Sequence, residues 1–327
     1  KNRNMSFIEV KDLKVHYPIR GGFFNKIIDY VYAVDGVSFV IEEGKTYGLV
    51  GESGSGKSTI GKAIIGLEKI KSGKIIYEGK EINGKFRNRR SEYNRNVQMI
   101  FQDSLSSLNP KKRVIDLISE PLRNFENLTP DEEKRKVSEL LEIVGMNRED
   151  IYKYPHEFSG GQRQRLGIAR AVATKPKLII ADEPVSALDL SVQAQVLNYM
   201  KDIQEQFGLS YLFISHDLGV VKHMCDYMFI MYHGRFVETG EKNDIYKNPE
   251  HFYTKRLIAA IPEIHPEKRA ENKRRRLEIE REYLANEKKY YDENGRVFDL
   301  KKLTDTHFVA FKDKNLRNNG NSEKGGK

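Results

Sequence analysis

The chain has 327 residues, 39% hydrophobic and 31% charged, with a mean hydropathy of −0.63. That composition fits one large globular domain or two modest ones, and no stretch approaches the roughly 18 to 20 uninterrupted apolar residues that cross a bilayer. The formal charge of +9, from 56 Lys and Arg against 47 Asp and Glu, suits nucleic acid, an anionic membrane face or a polyphosphate as partner.

Residues 1–10 are polar and hold no signal-peptide core, and Met5 is a candidate first residue. Residues 7–17 alternate apolar and polar positions (Phe7, Glu9, Lys11, Val15), which predicts a half-exposed strand. A glycine and aromatic insert over 21–32 separates it from a second strand at 37–41, and 42–45 is a turn. Residues 46–50 predict a short apolar strand and 51–59 a glycine loop, while Ile60, Ile64 and Ile65 predict a helix ending near Gly66. A strand at 97–101 leads into a mostly helical lobe over 110–155. Within it, Thr129-Pro130-Asp131-Glu132 supplies a hydroxyl cap, a first-turn proline and a reciprocating acid. A long helix follows Gly161, then strand 178–181, helix 191–206 and strands 211–215 and 228–232. Strands alternating with helices predict a parallel sheet covered on both faces, and the absence of an internal repeat makes this one copy of the unit.

About half of the positive surplus lies after residue 262. There Lys268, Arg269 and the run 273–276 fall among almost as many acids, without interleaved aromatic residues, as on a solvated helix and not a nucleic-acid surface. Residues 277–291 have helix-favouring composition, and 315–327, rich in Gly, Asn and Lys, are expected to be disordered. The one cysteine, Cys225, reads as a small buried hydrophobe in a reducing, cytoplasmic compartment. It excludes an intramolecular disulfide and a multi-cysteine metal site.

Gly51-Glu52-Ser53-Gly54-Ser55-Gly56-Lys57-Ser58 has the spacing of a phosphate loop and stands between an apolar strand and a helix. Backbone N–H groups from about Ser55 to Thr59 can then wrap a polyphosphate at the positive end of the helix, the glycines permitting close approach. Lys57 would reach the β and γ phosphates and Ser58 would ligate magnesium. Strand 178–181 runs into Asp182 and Glu183 before Pro184, at the sheet edge where ligands sit. In isolation such a pair is as often an ordinary strand cap. Downstream of a phosphate loop, Asp182 is placed to hold magnesium, directly or through a water, and Glu183 to polarise the water that attacks the γ phosphate. A second cradle is written in Phe158-Ser159-Gly160-Gly161-Gln162-Arg163-Gln164-Arg165, where a serine and two glycines open a long helix with no obvious structural need for them. Lys57 already serves one γ phosphate, so this cradle points to another subunit's nucleotide and to a nucleotide-sandwich dimer.

With Ile180 to Pro184, Ser186-Ala187-Leu188-Asp189 and Ser215-His216-Asp217 following in order, the chain resembles an ABC-transporter ATP-binding cassette over about residues 7–232. The resemblance implies a P-loop NTPase α/β fold with a RecA-like parallel core sheet, an antiparallel β subdomain and a helical subdomain near 103–160. The cassette would run over 5–262 and a charged, partly helical extension over 263–327. ATP and Mg2+ are the implied cofactors. Gln102 matches the glutamine that contacts magnesium, Asp189 the acid of the loop crossing the dimer interface and His216 the histidine on the γ phosphate. By themselves these would read as a strand-end glutamine, a helix cap and an ordinary histidine. Tyr17 matches the aromatic residue that stacks on adenine, with Tyr32 as its rival because the insert shifts the alignment.

Finer features resemble the ATP-binding subunits of oligopeptide and dipeptide permeases: residues 103–110 after the glutamine, 154–158 before the signature, 215–221, and 248–255 with 259–262 beyond the cassette. Gln162-Arg163-Gln164-Arg165 is closer to the F-type subunit than to the D-type. The implied setting is a bacterial importer of oligopeptides. Its other parts would be a D-type ATPase partner, two transmembrane permease subunits and an extracytoplasmic peptide-binding protein, with this chain peripheral on the cytoplasmic face. Import of dipeptides, nickel or glutathione is the same-family alternative, and a non-transport ATPase acting on nucleic acid or ribosomes the remote one. Several relatives carry a cysteine cluster for an iron–sulfur centre, and one cysteine cannot form it, so no such cluster is expected.

Overall fold

In the computed structural model, residues 6–22, 25–83, 92–103, 107–261 and 269–312 are described. Met5 as first residue, Ser104, Leu105 and Ser106 of the 103–110 motif, the boundary at Pro262, Lys268 of the basic run and the expected disorder of 315–327 lie outside the described residues.

The first half of the chain forms β1 (Ile8–Gly21), β2 (Lys26–Ile41), β3 (Thr46–Val50), α1 (Lys57–Ile64), β4 (Ser72–Tyr77), β5 (Lys80–Glu81), α2 (Glu92–Asn96) and β6 (Val97–Ile100). A helical lobe of α3 (Val114–Arg123), α4 (Pro130–Ile143) and α5 (Gly160–Val172) follows. The chain then returns through β7 (Leu178–Asp182), α6 (Leu190–Phe207), β8 (Ser210–Ser215), α7 (Leu218–Met224), β9 (Tyr227–Tyr232) and β10 (Arg235–Glu241). It continues as α8 (Lys242–Lys247), α9 (Phe252–Ala259), α10 (Arg269–Asn286), β11 (Leu300–Lys302) and β12 (Phe308–Ala310).

Strands β9, β3, β8, β7 and β6 pair in parallel, and β3, β7 and β8 are buried at every position, as strands covered on both faces must be. Their period-2 alternation divides the interior. Leu49, Ile180, Leu212 and Ile214 face α1 and the antiparallel sheet β2-β1-β4-β5, whereas Ile179, Ala181, Tyr211 and Phe213 face the helices. In the lobe, α4 opens on the expected capping box between Thr129 and Glu132. Cys225 is fully buried beside Gly48, and burial pushes its thiol well above the ordinary range.

Three sequence expectations change. Within the insert over 21–32, Gly21 and residues 26–32 are strand: β1 and β2 stay paired out to Gly21 and Lys26, as a long hairpin arm. Ile27, Ile28, Val31 and Tyr32 favour strand but remain exposed, so no one-sided apolar pattern announces it. Strands β4, β5 and β10 were not anticipated, because polar residues and glycines such as Ser72, Gly73 and Gly240 break their pattern. In the extension the helix begins earlier than residue 277 and stops before Tyr290 and Tyr291, whose rings pack on His251. The chain then adds β12 and β11 beyond β10, which makes the core sheet eight-stranded.

Polar contacts, one part-buried and one buried, fasten this extension. Arg296 reaches Asp35 of β2 at 2.6 Å, and His307 pairs its Nε2 with Glu238 Oε1 at 2.7 Å. Glu238, fully buried on β10, also accepts the Glu250 and His251 amides. Burial works to lower the His307 pKa, but the bond to Glu238 and the nearby charges of Glu238, Asp244 and Glu250 prevail and raise it. A pKa raised on folding stabilises fully below the unfolded value of about 6.5 and loses that contribution as pH rises through the folded value. Melting temperature is therefore expected to fall as pH climbs above neutrality, and His307→Gln to flatten that part of the profile. An unchanged slope in the variant would show that His307 is not its source.

Among the described residues no helix is long and apolar enough to cross a membrane.

Candidate active site

The carboxyl end of β3 delivers the chain into residues 51–56, which turn into α1. Two glycines are imposed by the protein's own backbone: a Cβ on Gly51 would strike the Met231 carbonyl, and one on Gly56, at φ 105°, the Ala33 carbonyl. Gly54, at φ 80°, has open space around it and is the glycine that leaves room for a ligand. The Ser55 carbonyl is fixed by the Gly234 amide at 3.0 Å. The Glu52 carbonyl accepts both the Ser55 amide and Lys57 Nζ, the latter at 2.8 Å. The first N–H groups of α1, from Lys57 onward, have no partner inside the helix and open toward the loop.

Lys57 is 4% exposed, and burial pushes its amine below the usual range while Glu183, Asp182 and Glu52 pull it back. Ser58 Oγ donates to Asp182 Oδ1 at 2.7 Å, which joins the loop to the end of β7. Burial raises the Asp182 carboxyl above its ordinary pKa, against the lowering effect of that bond. Glu183 follows with φ 46°, a left-handed conformation that costs energy in a residue with a side chain. Its amide is held by the Ile214 carbonyl, and its carbonyl accepts Ser186 N and Oγ. Its carboxylate is gripped from both sides, by Gln102 Nε2 at 2.9 Å and by His216 Nδ1 at 3.0 Å. An open cleft of about 580 Å3 is lined by 52–54, 56–59, Gln102, Glu183, His216 and, from α9 and the residue that follows it, Leu257 and Ala260.

Ser58 and Asp182 bring a hydroxyl and a carboxylate together, the hard oxygen donors that suit magnesium when phosphate oxygens complete its shell. Among the described residues no group of three or more His, Cys, Asp or Glu could hold a metal by itself. The arrangement thus fits an ion that arrives with a polyphosphate.

Other expected residues are not among those lining this cleft. Tyr17 and Tyr32 are paired with Val31 and His16 at successive positions of the hairpin and so point to opposite faces. The Tyr17 hydroxyl lies against Thr59 and Glu68, on the side of the phosphate loop, whereas Tyr32 packs on His16 with ring centroids 4.6 Å apart. Ser159 caps α5: its Oγ accepts the Gln162 amide at 3.3 Å, and Gln162 Oε1 accepts the Ser159 amide at 2.9 Å. Gly161 has a structural reason after all, because a Cβ there would strike Val192 of α6, but Gly160 faces open space. None of residues 159–162 lines the chain's own cleft. Asp189 caps α6 through the Val192 amide and Ser191 hydroxyl, which hold its carboxyl below the usual range.

Sequence reasoning missed the contribution of α9. Tyr253, Leu257 and Ala260 lie about 200 positions from the loop they adjoin, and no local pattern links them.

The profile of the ABC transporter family matches residues 34–186, and that of the oligopeptide/dipeptide transporter C-terminal region matches 237–293. The chain is 56% identical over 303 residues, 93% of its length and 95% of the relative's, to the oligopeptide transport ATP-binding protein OppF of Lactococcus lactis subsp. lactis strain IL1403. It is 45% identical over 264 residues, 81% and 79% of the two lengths, to the dipeptide transport ATP-binding protein DppF of Escherichia coli K12. In fold it matches the dimeric, post-hydrolysis structure of the ATP-binding cassette MJ0796 bound to ADP and Pi. The TM-score is 0.63 at 24% identity, covering 72% of this chain and 98% of that one.

Proposed function

The chain belongs to the ATP-binding subunits of ABC transporters, in the oligopeptide and dipeptide branch, and on that premise we propose that its ATP hydrolysis drives import of oligopeptides. What carries the peptide reading is the likeness extending through residues 237–293, beyond the general cassette, and the higher identity to an oligopeptide subunit than to a dipeptide one.

In this reading the amides of the loop, with Ser53, Gly54, Ser55, Gly56 and Thr59 about them, wrap the triphosphate, and Tyr17 stacks on adenine. Lys57 swings from the Glu52 carbonyl to the β and γ phosphates. Ser58 and Asp182 would hold magnesium, with Gln102 contributing from the lobe side, and the ion would supply charge neutralisation to the phosphates. Glu183 takes the proton of the attacking water, and His216 both orients that carboxylate and contacts the γ phosphate.

Ser159, Gly160, Gly161 and Gln162 serve a second cassette's nucleotide, and Asp189 lies on the same interface. Their separation from the chain's own cleft and the open space at Gly160 support this. A nucleotide shared by two chains stabilises their closed dimer by its binding free energy. The partner is a D-type ATPase subunit. Two permease subunits provide the path through the membrane and dock on the lobe near residues 102–120, along a groove of about 500 Å3 between that lobe and β6. A peptide-binding protein presents cargo outside, and this chain works peripherally on the cytoplasmic face.

One strain lacking the chain tests both cargo and sandwich. Reintroducing the wild type should restore uptake of labelled tetra- and pentapeptides. Ser159→Arg should leave the isolated chain's ATP affinity within about twofold and cut that uptake at least about tenfold. Restoration of dipeptide uptake alone would reassign the cargo, and equal loss of ATP affinity in the isolated variant would count against the sandwich.

A further inference from the structure

The phosphate loop is usually considered with the strand and helix that flank it. Here a third element holds it. Tyr253, in the first turn of α9, is 1% exposed, and its hydroxyl accepts the Glu52 backbone amide at 2.8 Å. Glu52 is the residue whose carbonyl receives Lys57 Nζ and the Ser55 amide. One residue thus has its N–H fixed by the C-terminal region while its C=O organises the lysine and the turn.

Helix α9 is well secured for that task. The Glu238 carboxylate accepts the amides of Glu250 and His251 just before the helix, and His251 Nδ1 accepts the Tyr253 amide at 3.1 Å. The Tyr253 ring packs on Tyr232 with centroids 4.7 Å apart. At the other end, the Arg276 guanidinium on α10 donates to the carbonyls of Ala259 and Ala260. Leu257, one turn beyond Tyr253, and Ala260 line the nucleotide cleft itself. A helix anchored at both ends therefore forms a wall of the cleft and holds the entry to its loop.

Resting on the nucleotide-binding reading above, we propose that Tyr253 is a positioning residue for the phosphate loop, setting ATP affinity through its hydrogen bond to the Glu52 amide. The hydroxyl fixes the Gly51–Glu52 peptide, and the next peptide carries the Glu52 carbonyl that receives the Ser55 amide and Lys57 Nζ, so the turn is set before nucleotide enters and little ordering remains for it. Without it the first half of the loop samples other peptide orientations, and that ordering is paid on binding. Once ATP is bound the phosphates themselves order the loop, so the saturated rate changes little.

The test is Tyr253→Phe in the full chain, which keeps the ring against Tyr232 and removes one hydroxyl. The Kd for fluorescent trinitrophenyl-ATP with magnesium should rise about three- to tenfold, as for one net hydrogen bond. In the assembled complex KM for ATP should rise in parallel, with kcat within about twofold. Leu141→Ala, in the core of the lobe and remote from α9, is the stability comparator: it should lower the melting temperature more than Tyr253→Phe does and leave Kd unchanged. A wild-type Kd in Tyr253→Phe would overturn the proposal, and so would an equal rise in both variants, since loss of stability would then be the cause. Failure of the wild-type chain to bind the probe would overturn the nucleotide reading and this proposal with it.

Discussion

Glu183→Gln is expected to keep ATP binding at the wild-type level while cutting turnover in the assembled complex by about 10²- to 10⁴-fold, the usual contribution of a positioned general base. Glutamine keeps the side chain's shape and one oxygen, so the contact with either Gln102 or His216 survives, but its amide cannot accept the proton of the attacking water. The left-handed backbone at Glu183 is held by Ile214 and Ser186 through main-chain atoms and does not depend on the carboxylate, so the variant should fold normally. With hydrolysis blocked, ATP continues to stabilise the closed pair of cassettes. The fraction of closed dimer at millimolar ATP should therefore rise, measured by light scattering after gel filtration alongside phosphate release at saturating ATP. Wild-type turnover in Glu183→Gln would remove the base assignment and leave His216, 56% exposed on its side chain, as the next residue to test.

The residues of this site that were legible in the sequence share one property: their chemistry is set by spacing along a short segment. Gly51 to Ser58 specify a loop because strand, glycines and helix are contiguous, and Asp182 and Glu183 are placed because an apolar run ends on them. The parallel core was legible for the same reason, since strands such as 178–182 are apolar throughout. What stayed hidden depends on partners distant in sequence. Strands β11 and β12 have three residues each and carry no signal of their own; they exist because β10 offers an open edge and because His307 and Arg296 find Glu238 and Asp35 there. The hairpin arm was obscured because both its faces are exposed, which removes the alternation that marks a strand. Tyr253 shows the limit most clearly: an unremarkable tyrosine in a short helix becomes part of the nucleotide site only when the fold brings it to Glu52, 201 positions away. The signature around Ser159 is the converse case. Its sequence was informative, but in one chain Ser159 and Gln162 satisfy each other, and the chemistry implied there requires a second cassette.

Lys57→Ala should weaken ATP binding itself, by about 10²- to 10³-fold, and so separate the lysine's role from that of Glu183. Among the described residues that line the cleft Lys57 is the one lysine or arginine, with the charges of Glu183, Asp182 and Glu52 acting on it, and a polyphosphate entering without it meets carboxylates of its own sign. A charge-assisted hydrogen bond in such a site is worth roughly 1.5 to 3 kcal/mol, and the loss of charge compensation adds to it. Stability should move the other way or hardly at all. Burial already disfavours the charged form of Lys57, and its single hydrogen bond, to the Glu52 carbonyl, returns only part of the hydration it gives up. The variant is thus expected to melt within a few degrees of the wild type, or above it, while failing to bind nucleotide at concentrations that saturate Glu183→Gln. Titration calorimetry and thermal melts on the same preparations decide this. Wild-type affinity in Lys57→Ala would mean that the loop amides alone hold the phosphates, and a large fall in melting temperature would mean that the lysine is retained as a packing element and not as a site that the fold sustains at its own expense.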